Sequence, residues 1–435
     1  MTTRYLTEAI LDGGIRSVNF FNGRLLSGED LSQEQEANSE ERKRLGQAIG
    51  DGIVSGLEVA KSTTTGNSGL PVVTIQPGLA INRLGQTLVL TKSVDVSLVS
   101  SNAGATTSTQ SLFVTCTPPQ SGPYIAGAGV YLLTIAPAIG SEGRTPVSGL
   151  GNVGAFCNTR YNIEGVQFHL LQVNIPQSEL QDSDRLRNRL AYACFGTSDP
   201  LVQTFFQNPL GSSVQQGYGL LDTMRQGNST GAACLSDTDV PLALLYWTVD
   251  AGIAFIDLWS VRRRITRPSA DTRWPLFISD RRLSEAEAMF LQFEEHVQDI
   301  IAGGPNTLST LAAMQHFAYL PPLGILPLQR TGSAPGFDPN AFFRTLASSN
   351  LEMTDGNLLR TLMHEAMYHE PINLADTSRA NRVQLYTVWE NVQAFTGLVT
   401  DQLVFVFASH TLPYRGVARF GYANFDISRF APTVK

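Results

Sequence analysis

The spacing of apolar residues changes along this chain, and that change constrains the fold more than any other feature. Through the first two thirds, apolar residues come in short runs cut by Gly and Pro. Val94, Val96 and Leu98 alternate with polar residues, the period of a half-buried strand. In the last third, Ala286, Phe290, Phe293, Val297 and Ile300 fall three and four apart, which puts them on one helix face. The expected fold class is therefore α+β, with β-rich N-terminal and middle regions and a mixed helical C-terminal region. At 435 residues the chain is long enough for several modules. The pattern suggests three: a helix plus a small β module over 1–108, a β-dominated module over 109–270, and a mixed α/β module over 271–435.

Local signals place the elements. Ser27-Gly-Glu-Asp30 reads as a helix N-terminus, with Ser27 as the cap and Asp30 three residues on. The helix runs to about Ile49, with Glu29, Asp30, Glu34 and Glu36 early and Arg42, Lys43 and Arg44 late, the order its macrodipole favours. Its apolar face is thin (Leu31, Ala37, Leu45, Ala48 and Ile49), so it either lies on the surface or packs in a polar bundle with other chains. Asp51-Gly52 ends it. Short strands are expected over 53–59, 72–76, 79–81 and 86–90, then over 112–117, 130–135 and 165–175. Residues 100–111 read as a linker and 182–194 as a helix. The stretch 203–231 has no clear period and reads as a long polar loop. Val240–Val249 and Ile253–Val261 predict a buried hairpin around Asp250-Ala-Gly252. Further on, Ser284-x-x-Glu287 predicts a helix start and 307–317 a second helix. Prolines 321, 322 and 327 exclude regular helix or central strand over 319–327. Asp338-Pro339 suits an N-cap followed by the first helical residue, 357–369 reads as helix, and 383–392 and 403–408 read as strands.

Charge narrows the function classes. Charged residues are 16% of the chain, below the usual ~25%, while hydrophobic residues are 43%. Partner subunits are one way to cover so uncharged a surface. The net charge of −7 argues against nucleic acid, which needs a basic face to neutralise phosphates. The one basic cluster, Arg262, Arg263, Arg264, Arg267 and Arg273, reads as ion pairs or as a solvated or subunit-facing edge. The most apolar stretch, Val240–Val249, is about half the ~20 residues of a membrane span. No secretory signal is read at Met1–Ile10. Synthesis in the cytoplasm is expected, with Cys116, Cys157, Cys194 and Cys234 reduced and none in a C-x-x-C pair.

Strings that might carry chemistry fail on context. His364-Glu-Ala-Met-Tyr-His369 spaces its histidines five apart, so a helix turns them to different faces, whereas zinc proteases need four. Gly149-Leu-Gly-Asn-Val-Gly154 lacks the strand before it and the helix after it that a dinucleotide site needs. The carboxylates Asp237 and Asp239, Asp250 and Asp257, and Glu294 and Glu295 could pair for glycoside hydrolysis only at a set separation. Asp237 and Asp239 read more simply as turn formers, and Trp247 and Trp259 as core. No enzyme, cofactor or metal site is expected.

Three segments carry a resemblance: Phe21-Asn-Gly-Arg-Leu-Leu-Ser-Gly-Glu-Asp30, Gly52-Ile-Val-Ser-Gly-Leu-Glu-Val59 and Pro77-Gly-Leu-Ala-Ile81-Asn-Arg-Leu-Gly85. Together they resemble a module of structural proteins encoded with contractile injection systems and phage-tail-like particles. This chain has Asn82 where that pattern more often has Asp. The resemblance implies a structural, baseplate-region or accessory subunit, a component of an assembled virion-like particle that can be released from the cell. Its partners would be other copies of itself and baseplate, tube, spike or sheath-associated subunits. The interface candidates are Phe20, Phe21, Arg24, Glu34, Arg42 and Arg44, then Arg262, Arg263 and Arg264, and the tail aromatics Phe420, Tyr422, Phe425 and Phe430. The alternatives are a receptor- or glycan-binding fibre or tip protein with a cell-surface ligand, and a glycan hydrolase component.

Overall fold

Gly56-Leu57 and Pro77-Gly78 turn the chain at the same level, and the first fold unit is built around that corner. A Cβ on Gly56 would sit 1.9 Å from the Pro77 carbonyl oxygen, so only glycine fits there. Leu57 takes φ 61 and is fully buried, a rare conformation for a branched side chain that the packing around it holds in place. In the computed structural model each strand pair breaks at this corner and continues in a second sheet. The structure describes residues 11, 14–62, 71–98, 129–146, 157–173, 175, 180, 183–197, 219–226, 235–248, 252–266, 280–328, 336–376, 383–388 and 404–410.

The chain forms two compact units. The first comprises 1–173, 227–243 and 262–270, and the second 174–226, 244–261 and 271–435. This differs from the three consecutive modules expected over 1–108, 109–270 and 271–435. Period-two patterns mark strands, but they do not say which strands share a unit, and here the middle third is divided between both.

In unit one, α1 (Gly28–Ile49) begins at the expected cap. The Ser27 hydroxyl accepts from the Asp30 N–H, and the Asp30 carboxylate accepts from the Ser27 N–H at 2.9 Å. Then come β1 (Gly52–Gly56), β2 (Val59–Lys61), β3 (Val72–Ile75), β4 (Gly78–Ile81), β5 (Thr87–Leu90) and β6 (Val94–Ser97). They form two antiparallel sheets, β1-β4-β5 and β2-β3-β6. The register Gly56↔Gly78 through Gly52↔Ile81 brings together the two glycine-containing motifs of the resemblance. Those motifs are thus the two sides of one corner. The long strands β7 (Gly129–Pro146) and β8 (Cys157–Val173) pair antiparallel over their whole length. Sequence reading assigned strand only to their inner halves, because the outer halves lack apolar alternation.

Unit two contains α2 (Ser183–Cys194) and α3 (Leu220–Gln226), a short helix inside the stretch read as a polar loop. The strand β9 (Val240–Thr248) begins in unit one. Its second half pairs with β10 (Gly252–Asp257) in the expected hairpin. The helix α4 spans Asp280–Gly303, so it starts one turn before the predicted cap. Ser284 is buried inside it, because the S-x-x-E string also fits a helix interior. Instead of one helix over 307–317 there is a 3-10 turn (Pro305–Thr310), an extended Ala312 and the short α5 (Ala313–His316). The strand β11 (Tyr319–Leu320) precedes β12 (Leu323–Pro327), α6 (Pro339–Phe343), β13 (Ala347–Thr354) and α7 (Gly356–Ala366). The last strands are β14 (Ile372–Asn373), β15 (Val383–Val388) and β16 (Val404–Ala408). The main sheet runs β12-β16-β15-β13, so the proline-bounded β12 sits at an edge, where missing donors cost least. The edge strand β13 lies parallel to β15 and was not legible in the sequence. The core is aromatic. Phe407 packs against Phe293 and Phe343, with ring centroids 5.3 and 5.1 Å away, and Phe293 packs on Phe317 at 5.4 Å.

Candidate functional site

The N-terminal segment and α1 are held to unit one by few contacts. Of the 22 residues of α1, only Ala37 and Gly46 are buried. A helix that polar gains little from packing on its own chain, and an isolated helix of this length is marginal in water. Its anchor is a backbone contact: a Cβ on Gly46 would lie 2.1 Å from the Gly85 carbonyl oxygen. The lead-in folds back along the helix. The Val18 N–H donates to the Glu34 carboxylate at 3.1 Å, and Arg24 binds Asp30 and donates to the Asn19 carbonyl at 2.7 Å. Arg24 and Glu34 are therefore engaged within the chain, with Glu34 only half-buried. Phe20, Phe21, Leu25, Leu26, Leu31, Leu45 and Ile49 all stay exposed, Leu25 at 94%. Arg42 and Arg44 are exposed on the same helix. Exposed apolar patches of this kind occur at contacts with proteins, membranes or ligands.

A second projecting feature is the outer half of the β7–β8 ribbon. Residues 139–143 and 159–165 are all exposed, among them Ile139, Tyr161 and Ile163. The Arg160 guanidinium lies 5.0 Å over the Tyr161 ring. The pairing continues to Pro146↔Cys157, some eight residues past the buried part, or ~27 Å of two-stranded ribbon. A two-stranded ribbon of this kind is marginally stable alone.

The arginine cluster does not act as one surface. Arg262 is buried, bonding the Gly56 carbonyl, donating to the Leu57 carbonyl at 3.0 Å and pairing with Glu58 at 3.5 Å. It clamps the β1–β2 corner from within, and its guanidinium is committed to these partners. Sequence shows its charge but not its inward direction. The Arg263 carbonyl accepts from Ile53 N–H, Arg263 is half-buried, and Arg264 is exposed. Phe420, Tyr422, Phe425 and Phe430 lie outside the described residues, as do Arg267, Arg273 and the 149–154 glycine string.

Asn82 makes hydrogen bonds that need an amide. It is buried, and its amide donates to Gln86 at 2.9 Å and to the Thr238 carbonyl at 3.2 Å. A carboxylate could donate to neither. The neighbouring acids part company. Asp239 is buried, accepts from the Thr134 hydroxyl at 2.7 Å and lies 2.8 Å from His169, while the exposed Asp237 faces Arg83. They do not converge as a hydrolytic pair. The helix expected over 357–369 ends at Ala366, so His369 lies beyond it and its direction is not set by the helix turn; His364 is beside Tyr368, and His369 stacks on His410 with ring centroids 4.2 Å apart. Among the described residues no group of three or more His, Cys, Asp or Glu is placed to hold a metal.

The densest chemistry is a buried ionic network in unit two. Arg187 on α2 binds Asp257 at 2.8 Å, Asp299 at 2.6 Å and Glu295 at 3.5 Å. Gln292 also donates to Asp257 at 2.9 Å, as does the Ser260 N–H. Burial opposes charge on both central partners. Arg187 and its hydrogen bonds nevertheless hold the Asp257 carboxyl below the usual range. The neighbouring His296 is buried with neither ring nitrogen hydrogen-bonded, and desolvation and Arg187 push it down to about 3. His316 meets Asp184 at 2.5 Å, and this contact lowers the Asp184 carboxyl. The sequence offered Asp257 and Glu295 as members of the carboxylate pairs Asp250/Asp257 and Glu294/Glu295, whereas the structure brings them to Arg187. Arg187 was not singled out, although its spacing to Leu190, Ala191 and Cys194 puts a charge on an apolar helix stripe.

This network sets a pH dependence. Burial, with Asp257 and Asp299, raises Glu295 from 4.5 to about 7, since Arg187 is largely committed to Asp257. The folded chain then keeps a proton that the unfolded chain releases, so stability falls as pH rises from 4.5 to about 7. His296 acts oppositely: its folded value lies below 6.5, so stability falls as pH drops from 6.5 towards about 3. The two slopes offset each other between these limits, and the lowered Asp257 and Asp184 add to the acid loss. Glu295→Gln removes only the first slope. Between about pH 5.5 and 8 its stability relative to the parent is expected to rise by about 1–2 kcal/mol, read by denaturant titration at both pH values. A constant difference would show that Glu295 ionises normally.

No protein-family model matches this chain, and no curated protein matches it. Among the described residues no helix is long and apolar enough to cross a membrane.

Proposed function

We propose that this protein is a structural subunit of a contractile, phage-tail-like injection particle, in the baseplate region or accessory to it, and that it acts through subunit interfaces. The observation that carries the interface reading is the projection of α1 and the β7–β8 ribbon beyond their own core, with large apolar side chains exposed on both. The particle context rests on the resemblance of the 21–30, 52–59 and 77–85 motifs, whose last two members form the corner at Gly56 and Gly78. The ionic residues of unit two support structure in this reading, since each bonds to another part of the same unit. The partners are other copies of the chain and neighbouring particle subunits.

The test is incorporation. Particles purified from cells producing the native chain are expected to contain it, and those from cells carrying Ile139→Lys with Tyr161→Lys are expected to lack it. Both positions are exposed, so the isolated double variant should fold with stability changed by no more than about 1 kcal/mol. Particles that never contain the native chain would overturn the particle reading. Normal incorporation of the double variant would remove the ribbon from the interface.

A further inference from the structure

The exposed stripe of α1 is its own complement. Leu31, Glu34, Asn38, Arg42 and Leu45 are spaced three, four, four and three apart. At 100° per residue all five lie within about 40° of Asn38 around the helix. The buried Ala37 and Gly46 flank this stripe on opposite sides. Leu31 and Leu45 are 53% and 61% exposed. Asn38 and Arg42 are exposed too, and Glu34 is half-buried.

The spacing reads the same from either end, and the charge reverses. If a second α1 lies antiparallel with its Asn38 beside this one, Leu31 meets Leu45, Glu34 meets Arg42, and the two Asn38 amides meet on the two-fold axis. Glu34 and Arg42 are the charge pair of the stripe, and the pairing repeats it on either side of the axis. It also opposes the two macrodipoles. A parallel pairing puts Glu34 on Glu34 and Arg42 on Arg42, and like charges in register destabilise. An isologous contact needs one self-complementary patch, and this stripe is one.

We infer that two copies of this protein pair antiparallel through α1, about a two-fold axis at Asn38. This deepens the assembly reading by naming one partner, and it rests on that reading only in treating α1 as an interface. Asn38 already donates to the Glu34 carbonyl at 2.8 Å and more weakly to its carboxylate at 3.3 Å. Pairing leaves the first bond in place and turns the second amide hydrogen across the axis.

The experiment combines sedimentation of the full chain with cysteine cross-linking. The native chain is expected to sediment as a dimer that dissociates on dilution. Leu45→Asp is expected to weaken the dimer at least about 30-fold, because it puts two charges at the seam. Arg42→Glu should weaken it less, and Glu34→Arg with Arg42→Glu should recover part of the loss, a recovery that parallel pairing does not give. Asn38→Cys should form a disulfide-linked dimer under mild oxidation beyond anything the native cysteines give. Glu36→Cys, about 160° around the helix, should not. A native monomer at high micromolar concentration overturns the inference, as does cross-linking at Glu36→Cys without Asn38→Cys. A monomer that still enters particles overturns the pairing and leaves the assembly reading standing, whereas a dimer absent from particles does the reverse.

Discussion

Asp257→Ala is expected to destabilise unit two by about 3–5 kcal/mol, the largest effect of any single charge change in the described residues. Asp257 is fully buried and bonds Arg187, Gln292 and the Ser260 N–H. Removing it takes the acceptor from the Gln292 amide and the one fully buried counter-charge from a guanidinium whose side chain is 4% exposed. Asp299 cannot replace it, because its own side chain is 64% exposed and screened by water. The pair itself is a weaker source of stability than its geometry suggests, since both ions lose hydration on burial. The double substitution Arg187→Met with Asp257→Leu is therefore expected to recover at least half of the single-variant loss. Amide exchange over α2 and α4 is the suitable measurement, because a chain with two units need not unfold in one step. A single-variant loss below about 1 kcal/mol would show that water reaches the network.

Much of this fold was legible, and the illegible parts share a cause. The Ser27 cap, the Asp338-Pro339 start and the hairpin around Gly252 rest on local geometry, and the structure has all three. So does the edge position of β12, which its prolines dictate. What the sequence hid depends on distant residues. Asp257 and Arg187 are 70 positions apart, and nothing local aims one at the other. Arg262 belongs to a cluster expected as ion pairs or as a solvated or subunit-facing edge; it does pair with Glu58, but its closer partners are carbonyls about 205 positions away, which nothing local indicates. The outer ribbon was missed for the opposite reason: exposed on both faces, it lacks the alternation that identifies a half-buried strand. The thin apolar face of α1 left two alternatives open, a surface helix or a polar bundle with other chains, and the structure adds that only Ala37 and Gly46 of it are buried.

Gly85→Ala is expected to release α1 from unit one. Gly85 takes φ 77, where an alanine costs about 1–2 kcal/mol in backbone strain alone. Space decides the larger part. A Cβ there would lie 1.9 Å from the Lys43 carbonyl oxygen and 2.7 Å from the Gln47 amide nitrogen, both backbone atoms of the helix. No rotamer change relieves such an overlap, so either the Asn82–Gly85 turn or the helix has to move. The turn is fixed on both sides, by Asn82 to Gln86 and by the Arg83 N–H to the Asp237 carbonyl. The helix meets the turn along Lys43, Gly46 and Gln47, of which only Gly46 is buried, and it is the part that gives way. Amide exchange is expected to speed up at least ~100-fold over residues 43–50, equivalent to about 3 kcal/mol, with the β1-β4-β5 sheet keeping its protection. Gly23→Ala, at φ 92 with nothing within 4 Å, carries the backbone strain without the overlap and should leave 43–50 protected. If the two variants behave alike, strain and not the close approach of the two glycines governs the anchor. If Gly85→Ala also exposes the sheet, α1 is a structural support of unit one, and its exposed stripe cannot be altered without cost to the fold.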